Sequence, residues 1–284
     1  MLAVIRTSKW LYEFIEACEK KAGKEIYFQQ CEILCEPLME VFPNENREAI
    51  HYELLQYGLF EPTEWASMQE IVKEMEKRKV WELVNKEYKR LRKKWGGPKV
   101  PVYIFPIKLK GTGQGREPLP VKNGVAYKKA LFLFLSKDLS DEEIKATLVH
   151  EYNHVCRLNY LDLTPSQTTL ADSLIIEGLG EYAVKEECGS KWLAPWVALY
   201  PQEDAKELWE NRFKPSLNLK GVKNHQLFLF GRPRSYFPKW IGYHLGFQIV
   251  DTYVKNHGPF PNSELYQKST EEIIAGCDFS PQSS

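Results

Sequence analysis

The chain has 284 residues, enough for one large domain or two smaller ones with a substantial hydrophobic core. Its 38 Lys and Arg residues balance 38 Asp and Glu residues, so the charge does not indicate binding to nucleic acid or to an anionic membrane. No run of 18 apolar residues is present, and the apolar stretch at the N-terminus is too short for a signal peptide. We therefore expect a cytoplasmic protein without a membrane-spanning segment.

The first third of the chain is predicted to be helical, because apolar residues recur there at helical spacing. Four helices are predicted: residues 9–22, 27–42, 45–57 and 64–95. Gly96-Gly97-Pro98 ends the last of them, since glycine and proline interrupt helical backbone. The pattern changes at this point, which predicts a helical N-terminal region over residues 1–95 and a second domain over residues 96–284.

The second domain begins with short apolar and aromatic segments that are typical of strands, residues 100–105 and 130–135. Residues 121–127 lead into the second strand, and we expect them to form an edge of the sheet with which an extended peptide can pair. The Gly-rich residues 110–115 before that edge are a candidate lid over the site.

A metal-binding pattern follows the second strand: His150-Glu151-Tyr152-Asn153-His154 has the form H-E-x-x-H. Ser140 and Glu143 form a capping-box pattern just upstream, which predicts a helix through the motif. On a helix, His150 and His154 lie one turn apart on the same face and can bind one zinc ion. The carboxylate of Glu151 is then placed to act on a water at the open coordination position.

A catalytic zinc site takes a third protein ligand, and the next predicted helix carries two candidates. This helix is expected to begin at Thr164-Pro165 and to end at Gly189. Glu177 and Glu181 lie four residues apart on one of its faces, so one can bind the metal while the other accepts a hydrogen bond from a ligating imidazole. Gly178 and Gly180 lie between them and predict a close approach of another helix.

The two motifs together resemble those of the gluzincin metallopeptidases, in which a glutamate on a later helix is the third zinc ligand. Residues 177–182, E-G-L-G-E-Y, are similar to the N-E-G-F-A-E-Y segment of zinc aminopeptidases, and this resemblance implies that Glu177 is the ligand. Ile176 stands where those enzymes have Asn, and the 22-residue spacer after His154 is longer than theirs.

Residues 95–277 resemble the bacterial YjaZ-type family of predicted zinc-dependent proteases. The resemblance implies a mostly helical α+β fold, in which a zincin-like core with a small sheet and an active-site helix follows the N-terminal helices. The H-E-x-x-H motif with a third ligand predicts one zinc ion per chain.

A donor to the developing oxyanion is expected from the segment Lys239 to Val250. Tyr243-x-x-Gly246 resembles the Y-x-x-G element of zinc aminopeptidases, whose tyrosine hydroxyl has this role. His244 is the alternative, because thermolysin-like enzymes use a histidine.

These features predict a zinc metallopeptidase that acts on a peptide or protein substrate, with Glu151 as general base. An endopeptidase is favoured, since Glu181 is the only spare carboxylate that could hold a substrate α-amine. Two alternatives remain: a non-catalytic binding or regulatory protein stabilised by zinc, and a metal-dependent hydrolase of a non-peptide amide. The oligomeric state is not predicted.

Overall fold

The computed structural model describes residues 3–20, 25–109, 121–232 and 235–279, and within them the chain is mostly helical with one small sheet. The α-helices are α1 (Ser8–Lys20), α2 (Glu25–Gln30), α3 (Arg47–Tyr57), α4 (Trp65–Lys77), α5 (Val80–Trp95), α6 (Asp141–Leu161), α7 (Leu170–Cys188), α8 (Gln202–Leu208), α9 (Gln226–Phe230), α10 (Ile241–His257), α11 (Asn262–Leu265) and α12 (Thr270–Ala275). The strands are β1 (Val102–Pro106), β2 (Lys122–Tyr127) and β3 (Ala130–Leu135). The predicted α+β class, with an N-terminal helical region, is confirmed.

Contacts along the chain divide it into two compact units. Unit 1 comprises Met1–Arg90 and Lys99–Glu151, and unit 2 comprises Leu91–Pro98 and Tyr152–Ser284. Unit 1 contains the sheet together with most of the N-terminal helices, and unit 2 contains the helices that follow the H-E-x-x-H motif. The domain boundary after residue 95 stays a prediction. Within the described ranges, no helix is long and apolar enough to cross a membrane.

Two of the predicted N-terminal helices are interrupted. The predicted helix 64–95 is wrong in its continuity, because Lys79 adopts a left-handed conformation with φ 56° between α4 and α5. The guanidinium of Arg78 donates to the Lys137 carbonyl at 2.5 Å, a tertiary contact that holds the bend. The predicted helix 27–42 changes from α2 to a π-helical and then a 3₁₀ segment at Pro37, whose missing N–H cannot continue an α-helix.

The sheet of unit 1 has the strand order β1-β3-β2, with β1 parallel and β2 antiparallel to β3. Every residue of β1 and β3 is buried, which explains their uninterrupted apolar sequences. All residues of β2 are half-buried, as suits a strand at the edge. Among the described residues β2 pairs with β3 alone, in agreement with the edge position expected for residues 121–127.

The core of unit 2 forms where α7 packs against α10. Leu174, Leu179, Leu245 and Ile249 are fully buried in it. The helix α7 begins at Leu170, later than the predicted start at Thr164, because Thr169 and Asp172 form a capping box. Its end agrees with the prediction, since Gly189 follows Cys188 with φ 92°.

Candidate metal centre

The H-E-x-x-H motif lies in the middle of α6, as the sequence predicts. The helix begins with the expected capping box, in which Ser140 N donates to Glu143 Oε2 at 2.8 Å and Glu143 N to Ser140 Oγ at 3.3 Å. The potential ligand atoms of His150, Glu151 and His154 lie within 4.8 Å of one another. Among the described residues, these three side chains form a group that could hold a metal ion. Glu151 and His154 are buried, each with 8% of its surface exposed.

Glu177 on α7 contacts the second histidine of the motif. Its Oε2 atom lies 3.4 Å from His154 Nε2, and its side chain is 17% exposed. That separation is longer than an ordinary N–H···O hydrogen bond of about 2.9 Å. Two ligands of one tetrahedral zinc, each bonded at about 2.0–2.1 Å, lie roughly 3.4 Å apart. The His154–Glu177 separation is therefore compatible with two ligands of one zinc ion, although the group of described side chains that lie close enough together to hold a metal consists of His150, Glu151 and His154 and does not include Glu177.

The carboxylate of Glu151 packs against the backbone of the edge strand. A Cβ atom placed on Gly124 of β2 would lie 2.4 Å from Glu151 Cγ and 2.6 Å from Cδ. Only a glycine permits this approach, and a glycine inside a strand is the sequence signal for it. The predicted edge segment includes Gly124, but its contact with Glu151 joins residues that no local pattern links.

The backbone groups of β2 alternate between the side that faces β3 and the opposite side of the strand. Leu131 N donates to Pro101 O and Leu135 O accepts from Ile107 N, so the odd-numbered residues of β3 direct their backbone groups toward β1. The even-numbered residues of β3 consequently bond to Asn123, Val125 and Tyr127 in the antiparallel register. The N–H and C=O groups of Lys122, Gly124 and Ala126 then point away from β3.

A glycine pair brings α7 and α10 into close contact. A Cβ atom on Gly178 would lie 2.1 Å from Gly246 O, and one on Gly246 would lie 2.3 Å from Leu174 O. The close helix approach predicted at Gly178 is thus present, and its partner is α10. Since Gly178 adjoins Glu177 in the chain and Tyr243 lies one turn before Gly246, the contact brings the backbone segments that carry these two side chains together.

The two candidate oxyanion donors have different surroundings on α10. Tyr243 is half-buried, and its ring packs against Trp196 and Trp240 at centroid distances of 5.2 Å. His244 is buried, and its Nδ1 atom lies 3.1 Å from the carbonyl oxygen of Trp196. Because a carbonyl only accepts, Nδ1 must carry the proton. Burial lowers the pKa of His244, which favours the neutral ring with its proton on Nδ1.

Glu181 is almost fully buried on α7, one turn after Glu177. Its Oε1 atom accepts a hydrogen bond from the backbone N–H of Ala194 at 2.5 Å. At least one oxygen of the Glu181 carboxylate therefore binds the backbone of the segment after α7, at Ala194. The predicted hydrogen bond from a ligating imidazole to Glu181 stays a prediction.

A buried arginine that the motifs do not single out lies one turn after His154. Arg157 is fully buried, and its guanidinium donates to the carbonyls of Tyr266 at 2.9 Å and Lys268 at 2.5 Å and to Thr270 Oγ1 at 2.9 Å. Burial lowers its pKa to about 10. Thr270 Oγ1 donates in turn to Asp172 Oδ1 at 2.6 Å.

This network joins the two helices that carry the candidate ligands. Arg157 is on α6, and Asp172 is in the first turn of α7, where its other oxygen completes the capping box with Thr169. The pattern T-x-x-D at Thr169 is a sequence signal for the helix start. The pairing with Arg157 depends on tertiary structure and leaves no such signal.

The candidate lid at residues 110–115 lies outside the described residues.

Comparison with known proteins identifies relatives of this chain. The family described as "Predicted Zn-dependent protease (DUF2268)" matches residues 80–275. The chain is 34% identical over 221 residues to the uncharacterized protein YjaZ of Bacillus subtilis (strain 168). The aligned region covers 77% of this chain and 82% of the relative. It is 28% identical over 142 residues to the uncharacterized protein YjfC of the same organism, or 47% of each chain. No solved structure matches significantly.

Proposed function

The chain belongs to the family of predicted zinc-dependent proteases, and on that premise we propose that it hydrolyses peptide bonds with zinc held by His150, His154 and Glu177. The observation that carries the proposal is the 3.4 Å contact between His154 and Glu177, beside a second imidazole on the same helix. When bound, zinc supplies a Lewis acid that activates water and polarises the scissile carbonyl.

Glu151 acts as the general base in this proposal. It accepts a proton from the attacking water and returns it to the nitrogen of the leaving amine. Its contact with Gly124 supports this role, because the strand backbone restricts the rotamers of the carboxylate. A base held in the correct orientation increases the reaction rate, because a small displacement of a catalytic group lowers that rate.

Tyr243 donates to the oxyanion, and His244 positions the neighbouring chain. His244 Nδ1 already donates to Trp196 O, which favours the Tyr243 hydroxyl over His244 as the donor. Such a donor is typically worth a factor of about 100 to 1000 in kcat.

The substrate binds as an extended peptide along the edge of β2. The outward-facing backbone groups of Lys122, Gly124 and Ala126 can pair with a peptide on either side of the bond opposite Glu151. The hydrogen bond from Ala194 N engages one oxygen of Glu181, the carboxylate that could otherwise hold a substrate α-amine. Both points support internal cleavage of the peptide chain.

Metal content tests the ligand set. Plasma mass spectrometry of the purified protein is expected to find about one zinc per chain, lost in Glu177→Ala. Glu186→Ala is the matched control, because Glu186 is an exposed carboxylate on the same helix. Equal zinc in wild type and Glu177→Ala would rule out Glu177 as a ligand. A protein that takes up no zinc would refute the proposed function.

Turnover tests the general base. Glu151→Gln is expected to keep its zinc and lose activity on a peptide library by orders of magnitude. Glu142→Gln changes an exposed carboxylate in the first turn of the same helix and should leave the rate unchanged. Full activity in Glu151→Gln would contradict the mechanism. A zinc protein that is inactive as wild type would instead indicate the non-catalytic alternative.

A further inference from the structure

Four aromatic side chains meet at the start of α10. The rings of Trp196, Phe230, Trp240 and Tyr243, here called the aromatic cluster, contact one another at centroid distances of 5.2–5.5 Å. They come from three segments of unit 2 that are distant in sequence. The cluster is therefore a product of the tertiary fold.

The aromatic cluster remains partly open to solvent. Phe230 is 42% exposed, and the other three rings are half-buried. The neighbouring Leu227 is 38% exposed and extends the apolar surface. Contiguous exposed apolar surface of this kind is typical of binding sites.

The aromatic cluster is held in place by hydrogen bonds to its backbone. His244 binds the carbonyl of Trp196, and Gln248 donates to the next carbonyl, that of Val197, at 3.1 Å. Trp240 N donates to Phe230 O at 2.8 Å. The rings are thus preorganised, which reduces the entropy that a ligand must offset.

Trp240 adopts a strained backbone conformation. Its φ of 61° and ψ of 18° are left-handed, which is rare for a bulky residue other than glycine. A conformation of this kind persists when surrounding contacts impose it, and it is enriched at ligand sites. Here it orients the Trp240 ring toward Trp196 and Tyr243.

The aromatic cluster is continuous with the proposed catalytic site through α10. Tyr243 is both a member of the cluster and the candidate oxyanion donor. One turn further along, Gly246 lies against Gly178, the residue after the proposed ligand Glu177. A group bound by the cluster is therefore close to the bond that Tyr243 would polarise.

Aromatic rings can bind either apolar groups or cations, and the charges nearby decide between them. Residues 211–250 contain no Asp or Glu but seven basic residues: Arg212, Lys214, Lys220, Lys223, Arg232, Arg234 and Lys239. Arg232 and Lys239 flank the two ring-bearing residues Phe230 and Trp240 in sequence. The positive charge of these sequence neighbours disfavours a cationic side chain, and the carboxylate bound nearby, Glu181, is already engaged by Ala194 N.

We infer that the aromatic cluster is a substrate subsite that takes a large apolar side chain, aromatic or branched aliphatic, adjacent to the scissile bond. This inference rests on the proposed function and specifies its substrate class. It makes Trp196 and Phe230 determinants of specificity that act by direct contact with the substrate side chain.

The test uses zinc-chelating hydroxamates, because their binding requires the metal but no turnover. Dissociation constants for acetohydroxamate, Nα-acetyl-phenylalanine hydroxamate and Nα-acetyl-lysine hydroxamate are measured by calorimetry on the zinc-loaded protein. The phenylalanine compound is expected to bind roughly tenfold or more tightly than acetohydroxamate, as burial of a benzyl group implies. The lysine compound should show no such gain.

Two variants and one control assign the gain to the aromatic cluster. Phe230→Ala removes the most exposed of the four rings, so folding should be preserved, and Trp196→Leu keeps apolar volume beneath the other rings. Both should lose most of the advantage of the phenylalanine compound while acetohydroxamate binding is unchanged. Tyr52→Ala, which truncates a 65% exposed aromatic side chain in unit 1, should keep the advantage.

The outcomes separate this inference from the proposed function. If acetohydroxamate binds and the phenylalanine compound gains nothing, or the gain persists in both variants, the subsite is refuted and the zinc site stands. Preference for the lysine compound would also refute it. If no hydroxamate binds, the zinc peptidase proposal fails and the subsite fails with it.

Discussion

Gly124 lies so close to Glu151 that a Cβ atom at this position would be 2.4 Å from Glu151 Cγ and 2.8 Å from its Oε1 atom. Glycine in a strand interior weakens the strand, so its presence here reflects the need for a close approach. The edge of the sheet and the proposed general base are therefore adjacent.

Gly124→Ala should displace the Glu151 carboxylate without removing it. We expect kcat for peptide cleavage to fall by about 100-fold, because an error of about 1 Å in the position of a catalytic group can have an effect of that size. Zinc content should be unchanged, since His150, His154 and Glu177 are untouched. Steady-state kinetics and metal analysis check this. Val125→Ala on the same strand is the control, and an equal loss there would mean that the strand itself is disturbed.

Ala126→Pro should weaken substrate binding along β2. Proline removes an N–H that points away from β3, so the ladder within the sheet stays intact. Loss of one hydrogen bond to a peptide substrate predicts a fall in kcat/KM of roughly fivefold to tenfold. Thermal melting and zinc content should match wild type. Unchanged kcat/KM would contradict binding at this edge.

Val125→Pro provides the contrast to that variant. The Val125 N–H bonds to β3, so its loss should destabilise unit 1 and lower the melting temperature. If the two proline variants behaved alike, the assigned alternation of backbone groups would be incorrect.

Arg157→Met should destabilise the protein even without metal. The change removes three hydrogen bonds from a fully buried guanidinium and leaves two backbone carbonyls and Thr270 Oγ1 without their donor. We expect a loss of about 3 kcal/mol in the free energy of unfolding. Urea denaturation in the presence of a chelator measures it. Arg90→Met, which removes a 43% exposed guanidinium, should change stability by no more than about 0.5 kcal/mol.

Lys79→Gly should stabilise unit 1. Lys79 is exposed and left-handed at φ 56°, a conformation that costs a non-glycine residue about 1–2 kcal/mol, partly offset by the greater freedom of glycine in the unfolded chain. A net gain of about 0.5–1 kcal/mol in the free energy of unfolding is expected from urea denaturation. Lys79→Ala keeps the steric conflict and should give no gain. A loss of stability in the glycine variant would show that the bend is not strained.

Local signals in the sequence were reliable where a single segment carries the whole signal. The capping box at Ser140 and Glu143 and the terminal Gly189 both place helix ends, because capping depends on residues a few positions apart. The sequence misleads where contacts between distant residues decide the local backbone conformation. The helix over residues 64–95 is broken at Lys79, beside the bond from Arg78 to the Lys137 carbonyl.

By itself, the sequence determined the class of fold, the helix that carries His150, Glu151 and His154, and the zinc chemistry that these side chains allow. Their spacing is enough, because helical geometry places residues four apart on one face. Only the tertiary structure decided that Glu177 contacts His154, that Gly124 packs on Glu151 and that Trp196 and Phe230 meet Trp240 and Tyr243. These contacts join segments far apart in the chain, and their geometry depends on how helices and strands pack, which no local pattern encodes.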